Sequence, residues 1–151
     1  MFGVRCWEGC ALESEVWLAD VAATLELGRQ IGRGARAGDL IVLSGELGAG
    51  KTTLAQGIGQ GLGVRGPVTS PTFVIARVHP TVTDGPDMLH VDAYRLGSAD
   101  ELDALDLDTT MASAVTVVEW GEGMAEALSP TRIEVRLERQ RGAPMSPTEN
   151  P

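Results

Sequence analysis

Short apolar runs of strand length recur along the chain, separated by stretches with helical spacing. Leu40-Ile41-Val42-Leu43, Met88-Leu89-His90-Val91 and Val115-Thr116-Val117-Val118 predict strands, and the last two end on acids, Asp92 and Glu119. Ile133 to Leu137 alternates in the manner of a half-exposed strand, residues 15–18 read as a short strand, and Phe73 to Val78 is rich in β-formers. Asp20 is a good N-cap for a helix running to about Arg36, with Leu25, Gly28, Ile31 and Gly32 as close-packing positions. A second helix opens at Thr52 and ends near Gly61 or Gly63, and shorter helices are expected over 99–105 and 121–128. Gly38-Asp39, Pro80 and Asp84-Gly85-Pro86 mark turns and loops. Strands alternating with helices imply an α/β fold, a mostly parallel sheet with flanking helices, in a single domain over 1–138. Residues 139–151, with Pro144, Pro147 and Pro151, are expected to be a disordered tail. No internal repeat is visible.

Between the strand at Leu40 and the second helix lies Gly45-Glu46-Leu47-Gly48-Ala49-Gly50-Lys51-Thr52, which fits the phosphate-binding pattern G-x-x-x-x-G-K-[ST] at every fixed position. Lys51 is the chain's single lysine. Glycines let successive backbone N–H groups face an anion, Lys51 adds a mobile charge, and Thr52 offers a hydroxyl to Mg2+. The helix that follows aims the positive end of its dipole at the phosphates. Strand, glycine loop and helix in this order predict a nucleoside-triphosphate site on a P-loop NTPase-like three-layer sandwich.

Hydrolysis also requires a carboxylate near the metal. Asp92 and Glu119 would project from the C-terminal edge of a parallel sheet, where ligands bind in open α/β folds and where the phosphate loop lies. Asp92 is a candidate holder of Mg2+, and Glu119 a candidate metal ligand or preparer of the nucleophile. Together with Lys51 they form the expected catalytic set. Thr69-Ser70-Pro71-Thr72 lies one helix downstream, where P-loop proteins often sense the γ-phosphate, so Ser70 and Thr72 are switch candidates. A proline β-turn explains the same letters. His90 reads as a packed or exposed strand residue.

Composition narrows the function. The 151 residues carry a net charge of −9, with 43% hydrophobic and 22% charged residues, which suits a globular domain and argues against a self-sufficient nucleic-acid binder. Arg132, Arg136, Arg139 and Arg141 form a local basic stretch, read first as a solvated strand edge and tail. Cys6 and Cys10 follow no signal-peptide core, which fits a reducing cytoplasm; as metal ligands they would need His79 or His90 from far along the chain. No apolar run reaches membrane-spanning length.

GELGAGKTT, VTSPTF, HVDAYRL and VEW, in this order and at this spacing, resemble the bacterial TsaE (YjeE) family, over about Val16 to Leu137. The resemblance implies a small P-loop ATPase needed, with the TsaB and TsaD proteins, to make N6-threonylcarbamoyladenosine at position 37 of tRNAs reading codons that start with A. TsaD would carry out the transfer, and this chain would bind and hydrolyse ATP with Mg2+ to keep the complex cycling. By position, Gly48 to Thr53 become the nucleotide cradle, Thr52 and Glu119 the Mg2+ contacts, and Asp92 the acid of the second nucleotide-binding motif. Thr24, opening the family's T-x-x-x-G stretch, is placed near the adenine, and Ser70-Pro71-Thr72 looks like its switch region. Two positions depart from the family pattern: Glu46 stands where Asp is usual, and Gly121 where proline commonly follows the Glu-Trp pair.

Two other classes share the phosphate loop. A small-molecule kinase generally needs an arginine-bearing lid, yet Pro80 to Asp87 contains no arginine, and Arg95 belongs to the HVDAYRL motif. A GTP-dependent switch or binding module needs an Asn-Lys-x-Asp box, which a chain with one lysine and a single asparagine, Asn150, does not contain. ATP is therefore the expected nucleotide.

Overall fold

The apolar runs become the centre of a seven-stranded mixed sheet. The computed structural model describes residues 2–6, 13–16, 18, 20–45, 50–66, 68, 76–92, 108–119 and 132–137. In chain order the elements are β1 (Phe2–Cys6), β2 (Glu13–Val16), α1 (Val21–Gly34), β3 (Leu40–Gly45), α2 (Lys51–Leu62), β4 (Ala76–His79), β5 (Asp87–Asp92), α3 (Asp108–Ser113), β6 (Ala114–Glu119) and β7 (Ile133–Leu137). The spatial order is β2-β1-β7-β3-β6-β5-β4. β7, β3, β6 and β5 are parallel, while β4 and the β1–β2 pair add antiparallel edges.

Parallel strands covered on both faces tolerate no polar alternation, which is why β3 and β6 are runs of apolar residues. Ile41, Leu43, Val115, Val117, Val135 and Leu137 share a core with Leu54, Ala55, Ile58 and Leu62 of α2. The alternate positions Leu40, Val42, Leu89, Val91 and Val118 are buried as well, as a sheet inside a three-layer sandwich requires. β7 alternates as expected, with Val135 and Leu137 buried and Arg136 exposed.

α1 begins as its sequence directs: the Asp20 carboxylate accepts from Ala23 N at 2.9 Å. The helix ends at Gly34, two residues before the expected Arg36. Gly28 lies so close to α2 that a Cβ there would stand 2.5 Å from Leu54 O and 2.7 Å from Gly57 Cα. Gly28 and Gly32 are thus close-packing positions as expected, and α1 is locked along α2.

Some expectations shift. The strand expected at 15–18 is Glu13–Val16, paired with β1. β1 itself pairs with β7 and extends the sheet where the sequence offered no reason for the N-terminal segment. α3 was not expected, whereas the helices expected over 99–105 and 121–128, and the tail over 139–151, lie outside the described residues. Of the run from Phe73, the described part is the strand Ala76–His79. No helix among the described residues is long and apolar enough to cross a membrane.

Candidate functional site

Because β7, β3, β6 and β5 are parallel, their C-terminal ends share one edge. Asp92 and Glu119 are register partners there, and Leu43, two residues before the loop, also pairs with Glu119. β3 leaves this edge through Gly45, whose φ of 139° only glycine adopts comfortably, and Gly50, with φ 110°, is the N-cap of α2. Two fixed glycines of the phosphate-binding pattern are therefore required by backbone conformation. Gly50 offers α2 no side-chain cap, and the first-turn N–H groups of the helix have no intrahelical acceptor.

Lys51 is only 5% exposed. Its ammonium donates to Gly45 O at 2.6 Å. A buried cation thus lies at the positive end of a helix dipole, and both attract negative charge. Thr52 Oγ1 lies 3.5 Å from Glu119 Oε1, which accepts from the hydroxyl. Glu119 is 4% exposed, so this acid is not a solvent-facing strand terminus. Its other oxygen, Oε2, accepts from His90 Nε2 at 2.5 Å, and His90 is fully buried.

These contacts bring together Lys51, Thr52 and Glu119, with Asp92 beside Glu119 at the strand ends. Thr53 is half-buried in the first turn of α2. Thr24 joins the site from α1: its methyl lies 3.8 Å from where a Cβ on Gly50 would stand, while its hydroxyl donates to Asp20 O at 3.2 Å. Glu46, Leu47, Gly48, Ala49, Ser70 and Thr72 lie outside the described residues, as do Arg95, Trp120 and Gly121. Of the basic stretch, Arg132 is buried and paired with Glu134 at 3.2 Å, and Arg139 and Arg141 lie outside the described residues. Among the described residues no three His, Cys, Asp or Glu side chains gather into a metal cluster, and the side chains of Cys6 and Cys10 are outside them.

A profile of the family described as "Threonylcarbamoyl adenosine biosynthesis protein TsaE" matches residues 18–145. The chain belongs to the TsaE family. It is 62% identical over 118 residues to the tRNA threonylcarbamoyladenosine biosynthesis protein TsaE of Streptomyces coelicolor, covering 78% of this chain and 80% of that protein. The protein of the same description from Mycobacterium tuberculosis is 57% identical over 129 residues, covering 81% and 77%. Among solved structures, Bacillus subtilis YdiB matches with a TM-score of 0.62 at 28% identity, over 93% of this chain and 80% of that one. The TsaE match begins after β2, so the two N-terminal strands lie outside the matched region.

His90 is packed in its strand, one of the two readings the sequence allowed, but its bond to Glu119 was not foreseen. A lone histidine in an apolar run gives no sign of a partner 29 residues away. The available signal was positional: His90 and Glu119 lie two residues and none from the ends of neighbouring strands, on the same face of the sheet.

Proposed function

We propose that the chain is the ATP-binding and ATP-hydrolysing subunit of tRNA threonylcarbamoyladenosine synthesis, working in the cytoplasm with TsaB and TsaD proteins. TsaE-family membership supports the pathway, and one geometric observation supports the chemistry. Lys51, a buried cation at the N-terminus of α2, donates to the carbonyl oxygen of Gly45, the first glycine of the phosphate-binding pattern. Such a site favours a polyanion whose charge is spread over several oxygens.

The donor set also fits Mg2+. This cation takes oxygen ligands and is usually held by one or two protein groups plus substrate phosphates, so no three-residue cluster is needed. Thr52 and Glu119 would hold it, with Asp92 beside them. Because the Thr52 proton goes to Glu119 Oε1, the hydroxyl lone pairs stay available to a cation. When bound, Mg2+ would draw charge from the phosphate oxygens and so favour attack of water at phosphorus and departure of the diphosphate. Lys51 and the first-turn N–H groups of α2 would hold the phosphates, and Thr24 lies where it can border the nucleoside.

The transfer of the threonylcarbamoyl group is assigned to TsaD, and this chain supplies ATP turnover. Its activity alone is weak and rises when partner subunits complete the site. ATP hydrolysis by wild type, Lys51→Ala and Glu119→Ala tests the site. Lys51→Ala loses most binding and turnover, and Glu119→Ala loses more turnover than binding. Unchanged hydrolysis in both variants would sink the assignment.

A further inference from the structure

His90 is out of place by the standards of its strand. It sits between Leu89 and Val91 in β5 with 0% of its surface exposed. Its Nδ1 is buried without a hydrogen-bond partner among the described residues. Leaving a buried polar atom unsatisfied costs on the order of 1–3 kcal/mol, so packing alone favours an apolar residue here. The neighbouring ring of His79, centroid to centroid 6.2 Å away, offers no compensation, because His79 Nε2 is also without a partner among the described residues. What the histidine gains is its bond to Glu119.

Donor and acceptor roles follow from the chemistry. Carboxylate oxygens accept, so His90 Nε2–H donates to Glu119 Oε2, and the proton of the ring sits on Nε2. Glu119 has three rotatable bonds and would otherwise be free to choose its rotamer. A rigid ring on the neighbouring strand holds one oxygen and leaves the other, Oε1, facing Thr52 Oγ1 at 3.5 Å.

The geometry points to His90 as a positioning residue: through Nε2 it fixes the Glu119 carboxylate so that Glu119 and Thr52 are pre-set for the divalent cation that accompanies the nucleotide. This assignment rests on the Mg-ATP site proposed above. It acts on the cation and not on the phosphate cradle, since the His90 ring touches neither Lys51 nor the first turn of α2 by any hydrogen bond among the described residues.

The experiment separates the two. ADP affinity is measured by calorimetry in EDTA, and Mn2+ affinity of the ADP-loaded protein by electron paramagnetic resonance, for wild type, His90→Leu, His90→Asn and His90→Gln. In EDTA all four should bind ADP alike. Removing such an outer partner of a metal ligand weakens the metal by about 10–100-fold, and that loss is expected for Leu and Asn. Gln places an amide donor near the position of Nε2, whereas Asn reaches only that of Nδ1, so Gln should recover most of the affinity. Should His90→Leu fail to fold, the Gln–Asn difference decides alone. Mn2+ affinity equal in Asn and Gln, or ADP affinity in EDTA falling in step with Mn2+ affinity, overturns the assignment. Wild type that binds no ADP under either condition overturns the nucleotide site and this assignment with it, whereas intact ADP and Mn2+ binding that ignores His90 defeats this assignment alone.

Discussion

Lys51 and Glu119 stand at the two poles of the site, a cation and an anion each at most 5% exposed. Charge-assisted hydrogen bonds contribute about 1.5–3 kcal/mol each, so Lys51→Ala should weaken ATP binding by about 10–100-fold in a calorimetric titration. ATP affinity within experimental error of wild type would contradict the role given to Lys51. His79 makes a separate prediction. Burial first, then the neighbouring His90 and Arg77, lower its pKa from the ordinary value of 6.5. The unfolded chain then binds more protons than the folded one, so stability rises with pH and is lost as pH falls through 6.5 toward the lowered value. Urea unfolding at pH 7.5 and pH 5.5 should therefore show a smaller loss on acidification in His79→Leu than in wild type; an equal loss would show that His79 is not its source. Lys51, Thr52 and the two acids were legible in sequence because a spaced motif and strand ends announce them. His90 was not, because its meaning depends on a strand pairing that a single histidine does not encode.

At the level of elements, α1 and α2 are joined by glycines whose hydrogens face the opposite backbone. Gly28→Ala would drive a methyl against Leu54 O and Gly57 Cα, at 2.5 and 2.7 Å, and neither atom can move aside without moving α2. The expected cost is about 3 kcal/mol, which in a chain of this size lowers Tm by about 10 °C. Gly34→Ala is the control, because nothing lies within 4 Å of a Cβ there and its φ is not in the left-handed range; its Tm should equal or exceed that of wild type. Equal melting of the two variants would refute the close-packing account. The central strands were readable because two buried faces demand unbroken apolar runs, as in Leu40 to Leu43 and Val115 to Val118. β1 and the true bounds of β2 were not. Edge strands are specified by pairing, here Phe2 with Leu137 and with Val16, more than by their own pattern.

For the whole molecule, β1 and β2 cover the edge that β7 would otherwise present. Deleting residues 1–16 should lower Tm by several degrees, roughly the effect of 1–2 kcal/mol, while ATP affinity stays at the wild-type level, since the Lys51 site lies beyond β7 on β3 and α2. A large loss of ATP affinity with unchanged Tm would reverse that division of labour. Net charge fits the proposed role: at −9 the chain is poorly suited to grip tRNA unaided, which agrees with turnover within a complex as its proposed contribution. Reconstitution tests this most directly. tRNA threonylcarbamoylation by TsaB and TsaD proteins is followed with ATP in the presence of wild type, of Lys51→Ala, and of neither. Sustained product with wild type alone is the predicted result. Equal product with Lys51→Ala, or with no added chain, would contradict it.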